Sequence, residues 1–168
     1  MSTVLVELRT ANLGFSQFLA GFLYSHLQYP SRCEGGITYY TKKKSIPNVL
    51  QPFLRCSDVK YDEKVQILHE QRIIRCCSWI DVGFVQADVH IEYRGGPDQH
   101  LYITGKIKLT QIPIPFVQPL LERVIRSEFK KLRNEEIECA RRLLSKRSSS
   151  FPAAATTTTT TTAASTIT

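Results

Sequence analysis

Residues 106–132, "KIKLTQIPIPFVQPLLERVIRSEFKKL", change their hydrophobic period partway along. Up to Leu109 the apolar side chains alternate, as in a strand with one covered face. From Val117 onward they return every three or four residues, the period of an amphipathic helix. Pro113 and Pro115 stand at the switch, where they remove ladder donors and preset φ for a turn. The stripe Val117, Leu121, Val124, Ile125, Leu132, Cys139, Ala140 and Leu143 predicts a helix from Phe116 to Lys146, roughly 45 Å long at about 1.5 Å per residue. Pro119 agrees with that start, because proline is tolerated only in a first helical turn. Asn134–Glu138 is more polar, which predicts a far end that projects or frays.

The segment before the switch belongs to a hairpin. Leu101, Ile103, Gly105, Ile107 and Leu109 alternate with Tyr102, Thr104, Lys106, Lys108 and Thr110. Upstream, Val85, Ala87, Val89, Ile91 and Tyr93 alternate with Gln86, Asp88, His90 and Glu92, and "RGGPDQ" makes the turn between the two runs. One face is dry and the other wet, as in an antiparallel sheet covered on one side. The dry face of these strands offers no inward acid or base for catalysis. Gly105, in a strand centre, marks a bend, a bulge or a close approach, with a bend the expected outcome.

Further upstream, Thr3–Arg9 reads as a first strand. Asn12 is the expected cap of a helix starting near Leu13, whose Phe15, Phe18, Leu19, Phe22, Leu23 and Leu27 share a face. Tyr29-Pro30 ends it. Cys33–Gly36 is a turn, and "ITYYTKKK" (37–44) a strand. In "SIPNVLQPFL" (45–54), Ser45 is a candidate N-cap, and Pro52 limits the helix to one or two turns. Asp58–Trp79 is strand-rich, with a bulge or turn expected at Asp62–Lys64. The order of elements predicts an α+β fold in which a curved antiparallel sheet grips a long C-terminal helix. A sheet with one apolar face needs such a cover, and a cover that stands off leaves an apolar cavity.

The chain has 168 residues. Residues 1–147 are expected to form one domain, long enough to bury roughly 70% of its unfolded surface. Residues 148–168 are uncharged and rich in Ser, Ala and Thr, so they are expected to be a disordered tail that cannot offset its ordering entropy. The net charge is +7, and residues 116–147 hold nine Lys/Arg against five Glu. Such a balance suits an anionic partner or simply a solvated basic face. Five cysteines, an odd number with no secretory leader before them, point to reduced thiols in an intracellular, cytoplasmic setting. No run reaches the roughly 18 apolar residues of a membrane span. The histidines are scattered and Cys76-Cys77 is adjacent, so no metal is expected. With no G-x-S-x-G, P-loop or dinucleotide fingerprint, no cofactor is expected either. No RNA- or DNA-binding motif accompanies the charge, so nucleic acid is not an expected partner. His90 between Asp88 and Glu92 hints at acid–base chemistry on the wet face, and a Cys–His pair would depend on neighbours in space.

Two stretches carry a resemblance to the START-like, helix-grip superfamily. "SIPNVLQPFL" resembles the Leu-Pro segment and short helix found mid-domain in several members. "GKIKLTQIPIPFVQPLLERVIRSEFKKLRNEE" (105–136) is similar to their last strand, proline turn and lid helix. The nearest likeness is to an uncharacterised START-like family best known from actinobacteria. A weaker one is to PRELI-type lipid-transfer domains, through Tyr29-Pro30; their pattern continues Asn-Pro where this chain has Ser31-Arg32. The resemblance implies a domain that encloses a lipid or another hydrophobic small molecule. No catalytic motif of the superfamily maps onto these residues.

The expected ligand-binding residues are Val85, Val89, Ile91, Ile103, Gly105 and Ile107 on the sheet, with Val117, Leu121 and Val124 on the helix. Lys42, Lys43, Lys44, Arg126 and Lys130 are candidates for headgroup contact at an anionic membrane. The expected function is binding or transfer of a lipid or other hydrophobic molecule, with entry under the C-terminal helix or the 45–54 loop. The alternatives are a cyclase- or isomerase-type enzyme on the same scaffold and a basic nucleic-acid-binding domain.

Overall fold

Alternation and turn chemistry produce one antiparallel sheet in the computed structural model, which describes residues 2–82, 85–111 and 117–149. The elements in chain order are β1 (Ser2–Thr10), α1 (Phe15–His26), β2 (Ser31–Glu34), β3 (Ile37–Ser45), α2 (Gln51–Leu54), β4 (Asp58–Leu68), β5 (Ile73–Asp81), β6 (Gln86–Gly95), β7 (Leu101–Gln111) and α3 (Val117–Ser149). The sheet order is β1-β7-β6-β5-β4-β3-β2, so the first strand closes on the last and all other neighbours are sequential. Every pairing is antiparallel. The sheet curves, and α3 lies across its concave face. The fold is the helix-grip arrangement, as the period change at residues 106–132 predicts.

Register carries the packing. Val4, Ile107, Val89, Ser78, Glu63 and Tyr40 are consecutive partners across six strands and form one inward row. The next row runs Val6, Gly105, Ile91, Cys76 and Val65. Gly105 stays in register with both neighbours, so the strand does not bulge there. A Cβ at Gly105 would collide with the ring of Phe129. The glycine serves close approach of α3 rather than the expected bend.

Several local expectations are corrected. Asn12 adopts a left-handed φ of 56°, and the N-cap of α1 is Gly14, whose N–H donates to Gln17 Oε1 at 3.1 Å. Ser45 closes β3, and the residue capping α2 is Leu50. Asp62–Lys64 lies inside the unbroken β4, while the chain reverses later, with Arg72 at φ 53°. The polar far half of α3 does not project. Ile137 and Ala140 are buried, and Gly21 of α1 leaves no room for a side chain against Ala140. Arg141 Nη2 donates to Thr10 Oγ1 at 3.0 Å, which ties that half to the end of β1. Helix α3 reaches Ser149, two residues past the expected boundary at 147. Pro113 and Pro115, and residues 150–168 of the expected tail, lie outside the described residues.

Replacing Gly105 tests the seat of the helix. Gly105→Ala is expected to destabilise the protein by about 1–3 kcal/mol through overpacking, measured by urea denaturation. Combining it with Phe129→Leu is expected to recover part of that loss, whereas simple additivity of the two changes would refute the contact.

Candidate functional site

Between α3, the 45–54 segment and the inner faces of β4–β7 lies a hollow of about 250 Å³. Ile46, Leu50 and Leu54 form one side, Ala87, Val89, Ile91 and Ile107 the floor, and Leu121, Ile125, Phe129 and Leu132 the roof. Among the expected ligand residues, Val85, Val89, Ile91, Ile107 and Leu121 line it. Ile103 instead sits in the core row between Leu8 and Tyr93, and Gly105 is covered by Phe129. Val117 and Val124 are half-buried on α3 and do not line the hollow.

The floor changes character across the sheet. On β7 and β6 the inward row is Ile107 and Val89; on β5 and β4 it becomes Ser78 and Glu63. Three charged side chains therefore line the hollow, Glu63 from β4 and Glu128 and Arg133 from α3. The β6–β7 floor carries no acid or base, as expected of those strands; the charges come from β4 and α3. Strand alternation places Glu63 there between Tyr61 and Val65.

Glu63 is the centre of a buried cluster. It accepts from Lys42 of β3, and His26 Nε2 stands 3.1 Å from Glu63 Oε2 and 2.8 Å from Lys42 Nζ. His26 Nδ1 donates to the Phe22 carbonyl at 2.8 Å, since a carbonyl can only accept. The ring stacks on Phe22 at 4.0 Å between centroids. Burial alone would raise the Glu63 carboxyl. The hydrogen bonds from His26 and Lys42, with the ammonium charge, outweigh it and hold the pKa at about 2. Arg133 is likewise buried. One of its terminal nitrogens donates to the Tyr93 hydroxyl and the other lies 3.2 Å from Glu136 Oε1. Tyr93 in turn donates to Glu136 Oε2 at 2.7 Å.

A second, smaller hollow of about 170 Å³ lies behind the first. His26, Tyr29, Lys42, Lys44 and Glu136 line it, and it shares Tyr61, Leu132 and Arg133 with the apolar hollow. The lysine run of β3 is thus split by alternation. Lys42 is buried against Glu63 and does not face a membrane surface, which corrects its expected role. Lys44 lines the smaller hollow. Lys43 points outward to Asp58 at 3.0 Å. Lys130 is exposed, and Arg126 donates to the Leu5 carbonyl of β1.

On the opposite face of the sheet, Cys77 Sγ lies 3.2 Å from His90 Nδ1, and His90 Nε2 lies 3.0 Å from Asp88 Oδ1. The order resembles a nucleophile, a base and an orienting acid. Burial pushes the Cys77 thiol up, with Asp88 adding to the shift, the direction opposite to that of an activated thiolate. Among the described residues no cluster suits a metal ion, all five cysteines are free thiols, and no helix is long and apolar enough to cross a membrane.

No protein-family model and no curated protein matches the chain. Solved structures do match its fold. The Zhui aromatase/cyclase from Streptomyces sp. R1128 aligns over 84% of this chain and 96% of its own, with a TM-score of 0.57 at 11% identity. A protein of unknown function from Staphylococcus aureus aligns over 88% and 97%, with a TM-score of 0.54 at 8% identity. Norcoclaurine synthase from Thalictrum flavum aligns over 85% and 86%, with a TM-score of 0.51 at 15% identity; it is also solved in complex with dopamine and hydroxybenzaldehyde.

The Glu63 pKa gives the cluster a signature in acid. It falls from an ordinary 4.5 to about 2 on folding, so the ionised form favours the native state. That stabilisation, about 3 kcal/mol at most, is fully present above the unfolded pKa and is lost as pH falls through about 2. Wild-type stability is therefore expected to decline between about pH 4.5 and 2. Glu63→Gln should be less stable at neutral pH and show a flatter profile over that window. Parallel profiles for the two proteins would remove Glu63 from the acid response.

Proposed function

We propose that this domain binds a small, largely apolar molecule in the hollow beneath α3. The observation that carries the reading is the apolar lining of this partly open hollow. A floor of Val89, Ile91 and Ile107 and a roof of Leu121 and Ile125 stand apart around about 250 Å³ that opens to solvent, a concave, mostly apolar site of the kind small molecules occupy. That volume falls just below the roughly 300–1,000 Å³ of common ligand pockets. It suits one short acyl chain or a small ring system rather than a two-chain lipid. The norcoclaurine synthase neighbour, solved with dopamine and hydroxybenzaldehyde, supports a guest of modest size. The net charge of +7 does not by itself make the domain a nucleic-acid or membrane binder.

An enzyme of cyclase or isomerase type on this scaffold is the second reading. Glu63 in the cavity wall favours it, and one neighbour is an aromatase/cyclase. Against it, a carboxylate held at about 2 has little driving force as a general base near neutral pH. The hydrogen bonds that hold it there also occupy it.

Ala87→Phe is the direct test, because it fills the hollow from a buried floor position. The wild type is expected to take up N-phenyl-1-naphthylamine with a rise in fluorescence, and the variant to lose that uptake while keeping its melting temperature within a few degrees. Equal uptake by the two folded proteins would reject the hollow as the binding site. Native mass spectrometry of protein isolated from its own host would then identify any natural guest.

A further inference from the structure

Building on the cavity reading above, we propose that the guest carries a carboxylate, held by Arg133 Nε and Lys44 Nζ where the apolar and polar hollows meet. Arg133 lines both hollows. Its Nε is buried and has no hydrogen-bond partner among the described residues, although both terminal nitrogens of the same guanidinium are engaged. A buried donor on a charged group is costly to leave unmade, and a ligand acceptor at this point would satisfy it. Lys44 Nζ, lining the smaller hollow, likewise makes no hydrogen bond or ion pair among the described residues.

The placement of the charges bears on the kind of anion. Lys42, Lys44 and Arg133 bring three positive charges to the walls of the smaller hollow. Glu63 answers Lys42, and Glu136 answers Arg133 while also accepting from Tyr93. Glu135, which also lines that hollow, is exposed to water. Among the described residues Lys44 makes no direct ion pair; Glu136 and Glu135 oppose its charge only through space. Its pKa is lowered by burial first and then by the Lys42 and Arg133 charges, with Glu136 and Glu135 opposing. A carboxylate supplies one negative charge. A phosphate monoester would bring nearly two (roughly −1.5 to −2) beside Glu136. The geometry therefore favours an apolar carboxylic acid, its chain or ring in the 250 Å³ hollow and its head against Arg133 and Lys44.

Octanoate and 1-octanol share a chain and differ in the head, so they separate the two levels of the reading. Their affinities are to be measured by displacement of N-phenyl-1-naphthylamine from the wild type and from Lys44→Met. Octanoate is expected to bind about tenfold or more tighter than 1-octanol. Lys44→Met should remove most of that advantage, leave 1-octanol unchanged and not lower the melting temperature, because it deletes an unpaired charge. In the wild type, octanoate but not 1-octanol should shift the Arg133 Nε–H resonance, and this readout stands even where the variant fails to fold. Equal binding of the two probes, or an unmoved Nε–H signal with octanoate bound, overturns the carboxylate assignment while leaving the apolar cavity intact. Binding of neither probe overturns the cavity reading and this assignment with it.

Discussion

Phe129 resting on Gly105 is the contact on which the other features depend. A helix packs against a sheet at a distance set by the side chains between them, and here one of the two partners has none. The ring settles onto bare backbone in the middle of β7. N-terminal to that point, Leu121 and Ile125 stand off the sheet and roof the hollow. C-terminal to it, Arg133 follows one turn later on the same helical face and enters the interior. Ile137 and Ala140 then bring the helix down onto α1. One seat thus divides a 33-residue helix into a roofing half and a docking half.

The docking half explains how charge is tolerated inside. Buried ions carry a desolvation penalty that pairing offsets only with good geometry. Glu63 meets that condition through Lys42 and His26, and Arg133 meets it in part through Tyr93 and Glu136. Apolar residues of comparable size would fill the same space without the penalty. Groups kept at such cost near a hollow are more readily understood as parts of a site than of a core. The depressed Glu63 pKa makes the cluster a fixed field rather than a proton shuttle, which is the property a polar anchor needs.

The limits of the sequence are visible at particular residues. The hairpin of β6 and β7 was legible because strict alternation puts Val89, Ile91 and Ile107 on one face whatever lies above them. The long helix was legible for the same reason at its own period. Glu63 was hidden because Asp62–Lys64 has the composition of a turn, yet its ladder partners in β3 and β5 keep it in strand. Lys42 was hidden within a lysine run that reads as a solvated face, although its spacing from Tyr40 and Lys44 follows the strand. Phe129, Arg133 and Ile137 escaped because the polar Asn134–Glu138 stretch suggested a free end, while only the crossing with Gly21 of α1 decides that this face is covered.

By itself the chain's sequence determined the order of elements, the curved antiparallel sheet and the helix that closes it, because these follow from the period of apolar residues and from prolines and glycines acting locally. Tertiary structure decided where the helix touches down, which charges turn inward, and that one wall of the hollow is polar. Those outcomes rest on pairs far apart in the chain, such as Glu63 with His26, Tyr93 with Arg133 and Gly105 with Phe129. Local periodicity sets which way a side chain points along its own element; only the assembled fold sets what stands opposite it.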